Sequence, residues 1–156
     1  MLPRLLTLTA AIGLIASAPA RAEFEVNYAY VDEIDHHSTQ GFVGSWLRPI
    51  ERWNEYHVYS EVLVGGILGR DGFPGRDDED VFFAGAGLRK HWGGFFLGAG
   101  LVALDHQNSL LSSIGQIVTS MGYTRGPVVI AFRHISNGNL AGNNDGENLL
   151  TLGYRW

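Results

Sequence analysis

The sequence predicts an all-β fold, an eight-stranded antiparallel transmembrane β-barrel preceded by an N-terminal signal peptide. Three observations carry that prediction. Beyond residue 22 the apolar residues come in short runs, several with a two-residue period, and none approaches the roughly 20 residues of a membrane helix. Eight such runs are separated by polar or Gly/Pro clusters. The connections between them alternate long and short in a constant order, which is how long extracellular loops and short periplasmic turns alternate in outer-membrane barrels.

The leader comes first. Arg4 precedes an apolar run from Leu5 to Ala16, followed by Ala18, Pro19, Ala20, Arg21 and Ala22. A basic start, a short apolar stretch and small residues before a cut describe a secretory signal peptide over residues 1–22, leaving residues 23–156 as one barrel domain. Export from a Gram-negative cell then places a strand-built membrane protein in the outer membrane, as a multi-pass barrel. The formal charge of −5 becomes more negative once Arg4 and Arg21 depart with the leader, which argues against a nucleic-acid partner. No cysteine is present, so disulfides and thiolate metal sites are excluded. The 21 glycines and 12% aromatic content suit tight turns and close strand contacts.

The strands are expected at Phe24–Asp32, Gly41–Pro49, Glu55–Leu68, Val81–Lys90, Phe95–Asp105, Ser113–Arg125, Val128–Ser136 and Asn148–Trp156. In the third, Val58, Val62 and Val64 share one face and Tyr59 and Glu61 the other; the second and fourth are ambiguous in phase. Phe95, Leu97, Ala99, Leu101 and Ala103 line one face of the fifth, and Leu150, Leu152, Tyr154 and Trp156 one face of the last. Such apolar faces can meet lipid, while the opposite faces carry Gly, Thr, Glu and Arg for a filled lumen. The long connections are Glu33–Gln40, Gly69–Asp80, Gln107–Ser112 and Asn137–Glu147; the short ones are Ile50–Asn54, His91–Gly94 and Gly126–Pro127. An even strand count leaves both termini in the periplasm. Trp46, Trp53, Trp92 and Trp156 then fall near the periplasmic ends, where an aromatic girdle belongs. The terminal Tyr154-Arg155-Trp156 resembles the aromatic C-terminal signal of barrels recognised by the outer-membrane assembly machinery.

Chemistry concentrates in Phe132-Arg133-His134-Ile135-Ser136-Asn137-Gly138, which closes the seventh strand. His134 and Ser136 are two apart, hence on one face and about 6 to 7 Å apart along the strand. They continue the phase of Val128, Ile130 and Phe132, so an apolar stripe ends in an imidazole and a hydroxyl at the extracellular rim, level with the lipopolysaccharide leaflet. A serine becomes nucleophilic beside a base, and the base needs a third group to fix its tautomer. His134 can be the base and Ser136 the nucleophile, with the Asn137 side chain and the Gly138 amide as oxyanion donors. A plain rim of polar residues beside an Asn/Gly-rich loop is the competing explanation.

His-x-Ser-Asn on the penultimate strand, followed by a loop with Asn-Asp-Gly and a carboxylate before the final strand, resembles the lipid A 3-O-deacylase (PagL) family over about 25 residues. The resemblance implies an eight-stranded outer-membrane barrel that hydrolyses the ester-linked 3-hydroxyacyl chain at position 3 of lipid A. It implies a Ser-His-Glu triad, a lipopolysaccharide substrate and no cofactor. The family's glutamate lies one residue farther from the serine than Glu147 does, where this chain carries Asn148. Either Glu147 orients His134, or Asn148 does so as asparagine does in Cys-His-Asn sites. Strand parity favours Asn148 and the better stabilisation of imidazolium by a carboxylate favours Glu147. Glu147, beside the flexible Gly146, is taken as the orienting acid, with Asn148 the alternative.

Other features are weaker. Asp77-Asp78-Glu79-Asp80 reads as a solvated acidic loop or as a site for the cations that bridge lipopolysaccharide phosphates. His36-His37 lacks a third partner nearby, so no metal site is expected. Arg133, inward if His134 is outward, would pair with Glu61. The rival to a lipid hydrolase is a non-enzymatic outer-membrane barrel serving as adhesin, anchor or resistance protein; a small-molecule channel conflicts with a filled eight-stranded interior. A homodimer is compatible with either.

Overall fold

A computed structural model describes residues 22–34, 37–70, 79–108, 110–141 and 145–156, with Glu33 and Ile34 described by their backbone only. The leader up to Arg21, His36, Asp77-Asp78 and Asn143-Asn144 lie outside the described residues. Eight strands run β1 (Glu23–Ile34), β2 (His37–Pro49), β3 (Val58–Ile67), β4 (Val81–Trp92), β5 (Phe95–Leu104), β6 (Gly115–Arg125), β7 (Val128–Ser136) and β8 (Glu147–Arg155). Each pairs antiparallel with its chain neighbours. The sheet closes where β1 meets β8, from Glu25 opposite Arg155 to Val31 opposite Leu149. Closure leaves no strand edge with orphaned N–H and C=O groups, the condition for β structure inside lipid.

Alternation along each strand decides what faces lipid. The outward positions include Val26, Tyr28 and Tyr30 on β1, Val62 and Val64 on β3, Leu97 and Leu101 on β5, and Leu150 and Leu152 on β8. Phe95 and Leu101 remain 65% and 68% exposed, a belt of apolar surface that is stable only against acyl chains. Among the described residues no helix is long and apolar enough to cross a membrane; the crossing is made by strands. The protein is a closed eight-stranded β-barrel with the outer surface of a membrane-spanning one.

One barrel end, where β1 begins and β8 ends, holds the aromatic girdle. Phe24 stacks on Trp46 and on Trp156 with ring centroids 6.4 Å apart in each pair, and Phe95 meets Tyr123 at 4.8 Å. The Lys90 ammonium sits 5.2 Å from the Trp92 ring, an arrangement suited to the headgroup level. Trp46, Trp92 and Trp156 occupy the places expected of them, and Trp53 lies in a short 3-10 segment, Glu51–Tyr56. That segment absorbs Glu55 and Tyr56, which had been expected in β3. At the opposite end, β1 and β2 run on almost to their turn, so most of Glu33–Gln40 is strand rather than the expected long loop, whereas the expected short turn Ile50–Asn54 extends over residues 50–57.

The interior is layered. Nearer the termini, Arg89 donates to both carboxylate oxygens of Glu25 at 2.8 Å and also pairs with Glu61, while Arg133 approaches Glu61 at 3.5 Å. The expected Arg133–Glu61 pair is therefore one side of a four-residue cluster, of two arginines and two glutamates, sealed from solvent. Gly98 makes room for it: a Cβ there would meet Ser120 Oγ at 2.5 Å and come within 3.7 Å of Glu61. Above this layer, Leu63, Ile67, Phe83, Val102, Leu104, Leu111, Val118, Ile135 and Leu149 form an apolar plug. The lumen expected from Gly, Thr, Glu and Arg is polar only in part. A small barrel cannot fill its volume with ion pairs alone, and apolar side chains take up the rest.

Candidate active site

β7 rises from the girdle end, so its outward stripe of Val128, Ile130 and Phe132 passes up the lipid belt to His134 and Ser136 at the far rim. Both are half-buried on the outer surface. The two-residue step that puts them on one face also brings them into contact, with His134 Nε2 3.0 Å from Ser136 Oγ. His134 stands directly opposite Asn148 in the β7/β8 pairing, and Nδ1 lies 2.8 Å from Asn148 Oδ1. An amide oxygen accepts only, so it selects the tautomer with the proton on Nδ1 and leaves the Nε2 lone pair aimed at the serine hydroxyl. Asn148 Nδ2 in turn donates to Asp32 Oδ2 at 3.3 Å, from the end of β1. Four side chains on three adjacent strands thus form one hydrogen-bonded chain ending at Ser136 Oγ.

Glu147 is not part of it. Its carboxylate is buried on the lumen side, opposite Ile135, and receives two hydrogen bonds from Arg70 at 2.8 and 2.7 Å. The expectation that Glu147 orients His134 is corrected to Asn148. β8 is already paired at residue 147, so parity is a hard constraint, and the adjoining Gly146 does not loosen it. Arg70 also donates to the main-chain carbonyls of His37 and Asp32, at 2.9 and 3.3 Å, bracing the starts and ends of the rim strands from inside.

Gly146 has a different task. Its φ of +73° is a conformation open to glycine, and a Cβ there would lie 2.9 Å from His134 Cε1 and from Ser136 Cβ. The chain can pass behind the imidazole only without a side chain. Its N–H donates to the Leu110 carbonyl, tying this crossing to the connection between β5 and β6.

The two oxyanion candidates separate. The Gly138 amide lies 3.4 Å from Ser136 Oγ, in reach of a carbonyl oxygen bound there. The Asn137 side chain, by contrast, is buried and committed. Its Nδ2 donates to the Ser112 and Ser113 hydroxyls at 3.1 Å each, and its Oδ1 accepts from the Asn139 amide at 2.8 Å. Asn137 fastens two loops and shapes the turn that presents Gly138, rather than pointing a donor at the serine.

Three of these features were missed from the sequence. Asp32 had a legible signal, because it ends the outward stripe Val26, Tyr28 and Tyr30 just as His134 ends the stripe of β7. Arg70 and the Ser112/Ser113 pair come from loops, where no periodicity points to a partner. Elsewhere on the rim, Asp80 accepts from the Gly69 amide at 3.0 Å and Glu79 lies 3.4 Å from His106. Among the described residues no three His, Asp or Glu side chains converge as a metal site would require.

No protein-family model matches the chain, and no curated protein does. Among solved structures, it is similar to the outer membrane protein Ail of Yersinia pestis, with 13% identity, a TM-score of 0.47, and coverage of 86% of this chain and 99% of that one.

Proposed function

We propose that this protein is a serine esterase of the outer leaflet that removes an ester-linked acyl chain from lipid A. The observation that carries the reading is the Asn148–His134–Ser136 chain, a nucleophile–base–orienter arrangement placed on the lipid-facing side of the barrel at the end away from the termini. The order of groups, amide oxygen to Nδ1 and Nε2 to hydroxyl, is the one that activates a serine. Its address also supports a lipid rather than a soluble ester: the groups on the same outward stripe below Ser136 are Phe132, Ile130 and Val128. The choice of the 3-hydroxyacyl group at position 3 rests on the resemblance to lipid A 3-O-deacylases.

In the mechanism, His134 Nε2 takes the hydroxyl proton as Ser136 Oγ attacks the ester carbonyl carbon. The imidazolium keeps its Nδ1 proton and donates it in a hydrogen bond to Asn148 Oδ1, and the Gly138 amide donates to the developing oxyanion. Collapse of the tetrahedral intermediate breaks the ester C–O bond as His134 returns its proton to the departing sugar oxygen. Water, deprotonated by His134, then attacks the acyl carbonyl, and His134 returns that proton to Ser136 Oγ as the C–O bond to the serine breaks. The products are 3-O-deacylated lipid A and a free 3-hydroxy fatty acid, and no cofactor enters the scheme.

The test is to express the protein and its Ser136→Ala variant in an outer membrane whose lipid A carries that chain, and to compare lipid A masses. Loss of one hydroxyacyl group with the unaltered protein alone is the expected result. Unchanged lipid A in the presence of a folded barrel overturns the esterase and leaves the non-enzymatic barrel.

A further inference from the structure

We propose that Asp32 is a positioning residue of this site, the outermost member of an Asp32–Asn148–His134–Ser136 relay in which a carboxylate sets the orientation of an amide. The inference rests on the esterase reading for its effect on turnover, and on geometry alone for its effect on His134. An asparagine side chain has two faces, one accepting and one donating, and either can be presented to an imidazole. Presented the wrong way, Asn148 would donate to Nδ1, draw the proton to Nε2 and leave His134 with no lone pair for the serine. An ionised carboxylate accepts only. With Asp32 Oδ2 3.3 Å from the Asn148 amide nitrogen, the NH2 group must face β1, and Oδ1 must face His134, 2.8 Å away. Choice of amide face, tautomer and basic nitrogen thus follow in sequence from one carboxylate on a third strand.

This relay answers how an amide serves where a carboxylate would otherwise do so. The negative charge is displaced by one residue, from beside the imidazole to behind the asparagine, and acts through a polarised amide. Register makes the arrangement reproducible: Asn148 stands opposite His134 on one side, and β1 lies along β8 on the other, with Val31 opposite Leu149. Inside the wall, Arg70 holds the backbone of Asp32 and the residue next to Asn148 at once, the Asp32 carbonyl at 3.3 Å and the Glu147 carboxylate at 2.7 Å.

The experiment compares the full barrel with Asp32→Ala, Asn148→Asp and the double variant, each shown folded by heat-dependent gel mobility. It reads three quantities: ester turnover, the rate at which a fluorophosphonate labels Ser136, and the tautomer of His134 from its ring nitrogen NMR shifts. Asp32→Ala should lower kcat and the labelling rate about tenfold, the scale of one charge-assisted hydrogen bond at an exposed rim, with KM changed less than about twofold. His134 should shift from the Nδ1-protonated form towards a mixture. In the Asn148→Asp background, where both oxygens at position 148 accept and nothing needs orienting, adding Asp32→Ala should cost nothing. An equal loss in both backgrounds, or an unchanged tautomer in Asp32→Ala, overturns the proposal. A barrel that neither hydrolyses nor labels yet shows the Asp32-dependent tautomer sinks the esterase and keeps the relay. Should Asn148→Asp fail to fold, the tautomer in Asp32→Ala decides by itself.

Discussion

The two faces of the barrel wall at β7 and β8 use similar residues to opposite ends. Facing in, Arg133, Ile135, Glu147 and Leu149 are sealed from solvent, and their charged groups meet counter-charges, Glu147 with Arg70 and Arg133 with Glu61 and Glu25. Facing out, His134, Ser136 and Asn148 are half-buried and linked in a line that leads to the serine hydroxyl. A buried charge without compensation is expensive, so the lumen tolerates only networks in which sign balances sign, and these hold the wall together. The rim is wetter and can hold a hydroxyl against an imidazole without a counter-charge, which is what an activated nucleophile requires. Adjacent residues, Glu147 and Asn148, therefore differ in role because they differ in side of the sheet.

The comparison breaks most easily from inside. Arg89→Met would leave Glu25 and Glu61 with Arg133 as their remaining cation, at a cost of about 3–5 kcal/mol, read as a lower urea midpoint for unfolding from liposomes. If stability were unchanged, the inner charges would not be the structural network described. Next, Glu147→Gln should weaken the clasp on Arg70 by about 1–3 kcal/mol while turnover stays within a few-fold, whereas Asn148→Ala should do the reverse, costing about a hundredfold in kcat with little loss of stability. Equal effects of the two on turnover would erase the distinction between the faces. The smallest effect is expected of Gly146→Ala, about 1–2 kcal/mol for a side chain at positive φ. Because the new methyl group presses on His134 and Ser136, turnover should fall with it. An unaltered kcat would show that the imidazole has room to move.

Much of this was legible because the strand period is two. The stripes ending at His134 and Ser136 and the outward row of β8 follow from alternation, and so does the parity that puts Asn148 beside His134; the girdle tryptophans follow from their places at the strand ends. Glu147 was preferred for its chemistry, and that preference failed because an inward position on a paired strand is not overridden by the affinity of a carboxylate for imidazolium. Asn137 shows another limit. As an amide next to the serine it qualified as an oxyanion donor, but its donors are taken by Ser112 and Ser113, from a loop twenty-odd residues away in sequence. Arg70, which fills the lumen mouth, likewise comes from a connection with no period to read.

By itself the sequence determined the eight strands, which face of most of them meets lipid, and the end of the barrel at which His134 and Ser136 lie. Each depends on local pattern: the pleat turns successive side chains to opposite faces, and the hydrophobic effect sorts those faces. The expected alternation of long and short connections fails at the first two, where β1 ends at Ile34 and β2 begins at His37, and where residues 50–57 join β2 to β3. The tertiary structure alone decided the apolar plug above the ion cluster, the pairing of Glu147 with Arg70, and the placing of Asp32 behind Asn148. Those depend on closure of the sheet, which makes β1 a neighbour of β8 and brings Asp32 to Asn148 from the far end of the chain.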